Sequence, residues 1–137
     1  MGDNMVNING SNDPYYRYKR HKISATQIRN NRTRIENVKE IGKDISRKPD
    51  EIMKALSLLL NTQVINTNCI KGHYMIDTLE KAFNKYVRDF VICNACTNPE
   101  TTYLKKTVKL GKGCKACGHT ARIKINPKLI SYIIRQL

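Results

Sequence analysis

Four cysteines of this chain could together hold a metal ion. They form two Cys-x-x-Cys pairs, Cys93 with Cys96 and Cys114 with Cys117, and seventeen residues separate the pairs. Two residues between cysteines allow one tight turn to direct both thiolates at a single ion, and a hairpin between the pairs can bring the two turns together. This spacing is typical of a zinc ribbon. Because four thiolates leave no open coordination position, we expect one structural Zn²⁺ rather than a catalytic ion.

The same cysteines could instead form two disulfides. Against this, the N-terminus is polar and charged and lacks the apolar stretch of a secretory signal, so we expect a reducing compartment, the cytoplasm, where thiols persist. No apolar run is long enough to span a membrane. Cys69, the fifth cysteine, is expected to be a small buried apolar side chain. The sequence therefore favours zinc over disulfides.

Few other side chains suggest catalysis. The three histidines, His21, His73 and His119, are scattered, and the chain has neither a glycine-rich phosphate loop nor a nucleophile–base pair at a suitable spacing. His119 lies two residues after the second cysteine pair, but four cysteines already complete that site. We therefore do not expect the chain to be an enzyme in its own right.

Positive charge is concentrated towards the two ends of the chain. The formal net charge is +14, from 25 basic and 11 acidic residues. Residues 17–34 hold seven basic residues and no acid, and residues 101–137 hold nine and again no acid. Residues 36–100 carry nine of the eleven acids. This distribution favours binding to a polyanion such as RNA over a lysine-rich surface that serves only solubility.

Apolar periodicity indicates an α+β fold around the cysteines. We expect an extended, flexible basic tail over residues 1–23, an α/β domain over 24–91, and a zinc-ribbon domain with a C-terminal helix over 92–137.

Helices are predicted over 38–45, from Pro49, after a capping-box pattern at 77–80, and from Pro127. Strands are predicted at 32–38, 63–65, 69–76 and 121–125. The buried face of the third helix is expected to hold Leu79, Ala82, Phe83, Tyr86, Val87 and Phe90.

The N-terminal residues and the neighbours of the cysteines resemble a known family. Tyr-Tyr-Arg-Tyr-Lys follows Asp-Pro at 15–19, Asn-Pro-Glu-Thr follows the first cysteine pair at 98–101, and Lys-Ala-Cys-Gly stands at 115–118. Together they resemble the N-terminal region of eukaryotic translation initiation factor 5 over nearly the whole chain. The beta subunit of initiation factor 2 is similar but lacks the Tyr-Arg-Tyr-Lys tail. The resemblance implies a small domain like initiation factor 1, followed by a four-cysteine zinc ribbon.

The resemblance also implies a function in start-codon recognition. The family activates GTP hydrolysis on the gamma subunit of GTP-bound initiation factor 2, which carries initiator tRNA to the mRNA start codon on the small ribosomal subunit. By resemblance, Arg17 would be an arginine finger, a guanidinium that neutralises charge on the γ-phosphoryl oxygens. Tyr16, Tyr18 and Lys19 would anchor the tail. The chain would thus be a monomeric GTPase-activating protein that supplies an arginine to its partner.

Two further basic residues, Arg32 and Lys54, match supporting positions of the family. The sequence also departs from the family pattern, because Arg20-His21 follows Lys19 where the family has Met-Pro, and no counterpart of the family's C-terminal helical domain lies within residues 1–137. Two alternatives stay open: a non-catalytic competitor that binds ribosomal RNA, and a component of initiation factor 2 that resembles its beta subunit.

Overall fold

The computed structural model of the chain describes residues 5–106 and 109–137, which form three antiparallel sheets and four α-helices. The strands are β1 (Met5–Asn7), β2 (Lys19–His21), β3 (Ala25–Ile28), β4 (Arg32–Ile35), β5 (Cys69–Lys71), β6 (Thr101–Lys106), β7 (Lys109–Cys114) and β8 (Thr120–Ile123). The helices are α1 (Val38–Ile45), α2 (Pro49–Leu59), α3 (Ile76–Phe90) and α4 (Pro127–Gln136). No helix in these two ranges is long and apolar enough to cross a membrane.

The N-terminal segment is not the free extended tail that the sequence suggested. Strands β1 and β2 pair antiparallel, with Val6 opposite Arg20, and Ile8 continues the pairing through its backbone N–H to the Tyr18 carbonyl at 3.0 Å. Arg20 is completely buried. The prediction was wrong here because each strand is only three residues long, which is too short to show an alternation of apolar and polar residues.

The middle sheet has the strand order β3–β4–β5. Arg29, Asn30 and Asn31 join β3 to β4, and the two asparagines have positive φ of 66° and 56°, which asparagine tolerates better than most residues. The strand predicted at 32–38 is confirmed as β4, although it ends at Ile35. The one predicted at 69–76 is shortened to β5, because Gly72 follows with φ of 106°. The strand predicted at 63–65 is wrong, because this segment contributes only an isolated bridge between Val64 and Ile70.

All four predicted helices are present, but the capping box of α3 is wrong. The helix begins at Ile76 after Met75, without a side-chain cap. Glu80, which would have closed the box, instead accepts hydrogen bonds from the Arg20 guanidinium at 2.8 Å and from the Ile23 backbone N–H at 2.9 Å. At α4 the expected cap is confirmed, since Asn126 accepts from the N–H of Leu129.

One apolar cluster connects the helices to the cysteine-bearing part of the chain. The predicted buried face of α3 is confirmed except for Ala82, which is only partly buried. From the C-terminal part, Leu110, Ile123, Leu129 and Ile133 join the same cluster. Cys69 is buried, as expected. The boundaries 1–23, 24–91 and 92–137 stay a prediction.

A buried polar network also connects the helices to the cysteine-bearing part of the chain. Arg47 donates to the carbonyl of Thr101 at 3.0 Å and to its hydroxyl at 2.9 Å, and its guanidinium carbon lies 4.4 Å from the centre of the Tyr103 ring. The hydroxyls of Tyr103 and Tyr86 both donate to the Glu51 carboxylate. Burial raises the pKa of both tyrosines well above the ordinary value, so both stay donors. This network fixes β6 against α2 and α3.

Candidate metal centre and arginine segment

The four predicted metal ligands converge on one point. Their sulfur atoms all lie within 4.8 Å of one another, with 3.7 Å between Cys93 and Cys117 and 3.6 Å between Cys96 and Cys114. A tetrahedron with Zn–S distances of about 2.3 Å has S···S edges of about 3.8 Å. A disulfide requires a separation of about 2.05 Å. The donor set therefore fits one tetrahedral ion such as Zn²⁺, and the distances do not fit two disulfides.

Matching backbone turns hold the two cysteine pairs. In the first, the N–H of Thr97 donates to the carbonyl of Cys93 at 3.0 Å; in the second, the N–H of Gly118 donates to the carbonyl of Cys114 at 2.9 Å. The residue that closes each turn has a positive φ, 61° at Thr97 and 79° at Gly118. The first turn follows α3, and the second follows β7. Helix α3 and strand β7 thus place the four sulfurs.

The thiols differ in their tendency to ionise. Burial opposes ionisation of Cys93, but backbone N–H groups of Cys96 and Ala95 and the neighbouring thiols outweigh it and lower the pKa of Cys93 to about 6. The backbone N–H of Asn98 favours ionised Cys96, yet partial desolvation and the three other sulfurs raise the pKa of Cys96 to about 12. A bound metal ion would favour the thiolate form, which is the form of cysteine that coordinates metals.

Residues 15–19, the arginine segment, lie against residues 97–100, the knuckle loop. The hydroxyl of Tyr16 donates to the Thr97 carbonyl at 3.1 Å, and the hydroxyl of Tyr18 donates to the Glu100 carboxylate at 2.8 Å. Asn98 donates its amide to the Tyr18 oxygen at 2.9 Å. Burial raises the pKa of Tyr16 to about 12. Both tyrosines therefore attach the segment to the loop after the first cysteine pair.

Arg17 lies between the two attached tyrosines and is exposed to solvent. Its guanidinium carbon is 5.6 Å from the centre of the Tyr18 ring. Within residues 5–106 and 109–137 it forms no ion pair with an acidic group. The basic neighbour Lys19, by contrast, donates to the side chain of Asn7. Arg17 thus presents an uncompensated positive charge at a defined place on the surface.

Comparison with known proteins identifies the family. A family profile, described as a domain found in initiation factors 2B and 5, matches residues 9–120, a range that includes both the arginine segment and the four converging cysteines. The chain belongs to this family. The resemblance found in the sequence is therefore confirmed.

Individual relatives of this initiation-factor domain are eukaryotic translation initiation factors 5. The protein of Dictyostelium discoideum is 33% identical over 129 residues, which cover 90% of this chain and 33% of the relative. That of Saccharomyces cerevisiae is 31% identical over 141 residues, which cover 95% of this chain and 35% of the relative. The chain spans about a third of the length of these relatives.

Arg32 and Lys54, to which the resemblance assigns a supporting role, lie on other elements. Arg32 is half-buried on β4, between Ile28 of β3 and Lys71 of β5. Lys54 is on α2, with its nitrogen 6.0 Å from the centre of the Tyr132 ring. No hydrogen bond or ion pair among the described residues joins either side chain to Arg17. A shared role for the three residues stays a prediction.

The most deeply buried arginine of the initiation-factor domain was missed from the sequence. Arg20 donates to both oxygens of Glu80, at 2.8 and 3.1 Å, and to the side chain of Asn84 at 3.0 Å. Its guanidinium carbon lies 4.5 Å from the centre of the Phe83 ring. The only sign of this role in the sequence was the departure from Met-Pro after Lys19. Arg20 attaches the N-terminal segment to α3.

Replacing Arg20 with methionine should destabilise the domain by about 3 kcal/mol, because Glu80 would keep a largely buried carboxylate without its cationic partner. Urea unfolding of the metal-loaded protein measures the change. Arg17→Met is the matched control: it removes the same charge from an exposed site and should change stability by less than about 0.5 kcal/mol. Equal unfolding midpoints for the two variants would contradict the assignment of Arg20 as an anchor.

Proposed function

We propose that this initiation-factor domain promotes GTP hydrolysis by translation initiation factor 2 and assists start-codon recognition on the small ribosomal subunit. The observation that carries the proposal is the position of Arg17. Its guanidinium is exposed and uncompensated, while the tyrosines on both sides are hydrogen-bonded to the knuckle loop. The relatives named initiation factor 5 support the same assignment.

Arg17 would act as an arginine finger on the GTP of the partner. A guanidinium is planar and donates from two nitrogens at once, so that it can contact two phosphate oxygens and stabilise the charge of the transition state. The attached tyrosines reduce the number of conformations that the arginine segment must lose when it docks. The partner would supply the GTP, the metal ion that binds the phosphates and the attacking water.

Zn²⁺ would be held by Cys93, Cys96, Cys114 and Cys117, where four thiolates leave no position for a substrate. Its contribution would be to fix the turns that contain the cysteines. The proposed reaction itself depends on Arg17 and on groups of the partner.

An assay of GTP hydrolysis tests the proposal. Initiation factor 2 loaded with GTP and initiator tRNA would be assembled with small ribosomal subunits and an mRNA, and phosphate release followed with and without this domain. The domain should increase the rate when the mRNA carries a start codon, and less when that codon is changed. An unchanged rate with the start codon present would contradict the proposal.

A second candidate is a non-catalytic module that binds RNA, supported by the charge of residues 101–137. Within the described part of that range, seven basic side chains are exposed: Lys105, Lys109, Lys115, Arg122, Lys124, Lys128 and Arg135. The same range contains no acid. These charges could neutralise phosphates of ribosomal RNA without any effect on GTP.

RNA binding should weaken steeply as salt increases, because each phosphate contact releases a counterion. The double variant Lys124→Ala, Lys128→Ala should lower the slope of log K against log salt by about 1 to 2, without a preference for RNA sequence. Filter binding over a salt series measures the slope, with Ser131→Ala, an exposed uncharged position, as the control. RNA binding without stimulated GTP hydrolysis would favour this second candidate, and an unchanged slope would contradict a contribution from these lysines.

A further inference from the structure

We propose that Asn98 and Glu100 are positioning residues for Arg17, and that metal loading of the four cysteines therefore controls how the arginine segment is presented. The consequence for GTP rests on the proposed function, whereas the link between the metal centre and the segment can be measured without it.

The first part of the link joins the arginine segment to the knuckle loop. Tyr18 uses its hydroxyl twice, as a donor to Glu100 and as an acceptor from Asn98, and Tyr16 donates to the backbone of Thr97. The two rings also contact each other edge to face, with centres 5.9 Å apart. The residues on both sides of Arg17 are thus held by the same four-residue loop.

The second part joins the knuckle loop to both cysteine pairs. The N–H of Cys93 donates to the Asn98 carbonyl at 3.0 Å, on the side of the first pair. The N–H of Lys115, inside the second pair, donates to the Glu100 carbonyl at 2.9 Å. Within the loop, Asn98 accepts from the N–H of Glu100 at 2.7 Å. A metal ion that draws the two pairs together therefore also fixes the loop.

The backbone conformation at the start of the knuckle loop indicates that a bound metal ion helps to hold it. Thr97 has φ of 61°, a region that is costly for a β-branched residue. Cys96 and Thr97 are both exposed, so hydrogen bonds rather than burial of apolar surface hold this end of the turn. When the metal is absent, the turn can relax to a more ordinary backbone conformation, and the partners of Tyr16 and Tyr18 would move with it.

Arg20, which follows the arginine segment, is attached to a different part of the molecule. Arg20 is held by Glu80 and Asn84 of α3, and these contacts include no residue of either cysteine pair. Loss of metal should therefore make the peptide bond after Arg17 accessible to protease before it makes the bond after Arg20 accessible. These two bonds serve as a test and an internal control within one chain.

Limited trypsin digestion followed by mass spectrometry tests the proposal. It compares the zinc-loaded domain, the domain treated with a chelator, and the zinc-loaded variant Tyr16→Phe, Tyr18→Phe, which keeps both rings but loses the three hydrogen bonds. Chelation and the double variant should each accelerate cleavage after Arg17 by at least about tenfold, with cleavage after Arg20 little changed. Glu100→Ala should act in the same direction. Tyr15→Phe, at a tyrosine that is 91% exposed, is the matched control and should have no effect.

Bound zinc and the unfolding midpoint are measured for each variant, so that a general loss of structure is recognised. Faster cleavage after Arg17 in the double variant, with zinc and stability retained, supports the positioning role. Unchanged cleavage after Arg17 in both the chelated protein and the double variant would overturn it. If the wild-type domain shows this protection but does not stimulate GTP hydrolysis, the proposed function fails and the metal-linked positioning remains.

Discussion

Replacing Arg17 with alanine should reduce the stimulated rate of GTP hydrolysis by about 10³-fold or more, close to the rate without the domain. The neighbouring basic residues cannot take over the role. Lys19 is already bonded to Asn7, and Arg20 is buried against Glu80. Arg17→Lys should retain only part of the activity, because an ammonium group lacks the planar fork that contacts two phosphate oxygens.

Single-turnover phosphate release from assembled initiation complexes measures this effect, at domain concentrations that saturate binding. The control is Arg29→Ala, which removes an equal charge from an exposed position outside the arginine segment. The control should keep most of the stimulated rate, and both variants should bind the ribosome with similar affinity. A stimulated rate that is the same for Arg17→Ala as for the wild type would rule out the arginine finger.

Replacing Cys114 with serine should abolish tight metal binding and unfold the cysteine-bearing part of the chain. Structural Zn²⁺ contributes about 10–16 kcal/mol in small zinc domains, which is comparable to the whole stability of an ordinary domain. The sheet β6–β7–β8 has limited means of compensating, since two of the six residues of β7 are glycines. Leu110 and Ile123 contact the shared core, so their displacement should expose part of that core, while α3 keeps its contacts with Arg20.

Zinc content by elemental analysis and the dispersion of backbone amide NMR signals measure the outcome. Cys69→Ser is the matched control, because this cysteine is buried but lies outside the metal cluster. It should keep one bound metal ion and lose only the stability expected for a hydroxyl in an apolar position, about 1–3 kcal/mol. A folded Cys114→Ser protein that retains its zinc would contradict the assignment of the ligands.

The elements that the sequence predicted correctly depend on local patterns. Helix α3 shows its buried face through a regular apolar spacing, and Pro127 with its preceding cap indicates where α4 begins. The N-terminal strands depend instead on a partner far along the chain. Arg20 and Glu80 are separated by 60 positions, and Glu80 binds Arg20 instead of closing the predicted capping box. Periodicity contains no information about such a pair.

The candidate site likewise contains one part that local sequence patterns predicted and one part that they did not. The spacing of the cysteines predicted their convergence, because each pair is a local turn with a known geometry. The docking of Tyr18 on Glu100 joins residues 82 positions apart and could not be predicted from the neighbours of either one. Arg17 itself emerged only from the resemblance, since composition alone does not distinguish it from other exposed basic residues.

The attachment of residues on both sides of Arg17 limits how far its guanidinium can travel. With Tyr16 and Tyr18 held at their hydroxyls, the arginine can extend little beyond the length of its own side chain. A nucleotide at the bottom of a deep cleft would be out of reach unless the knuckle loop entered the cleft beside it. Under the proposed function, the partner would therefore need an opening wide enough for both segments, and steric access would contribute to the choice of partner.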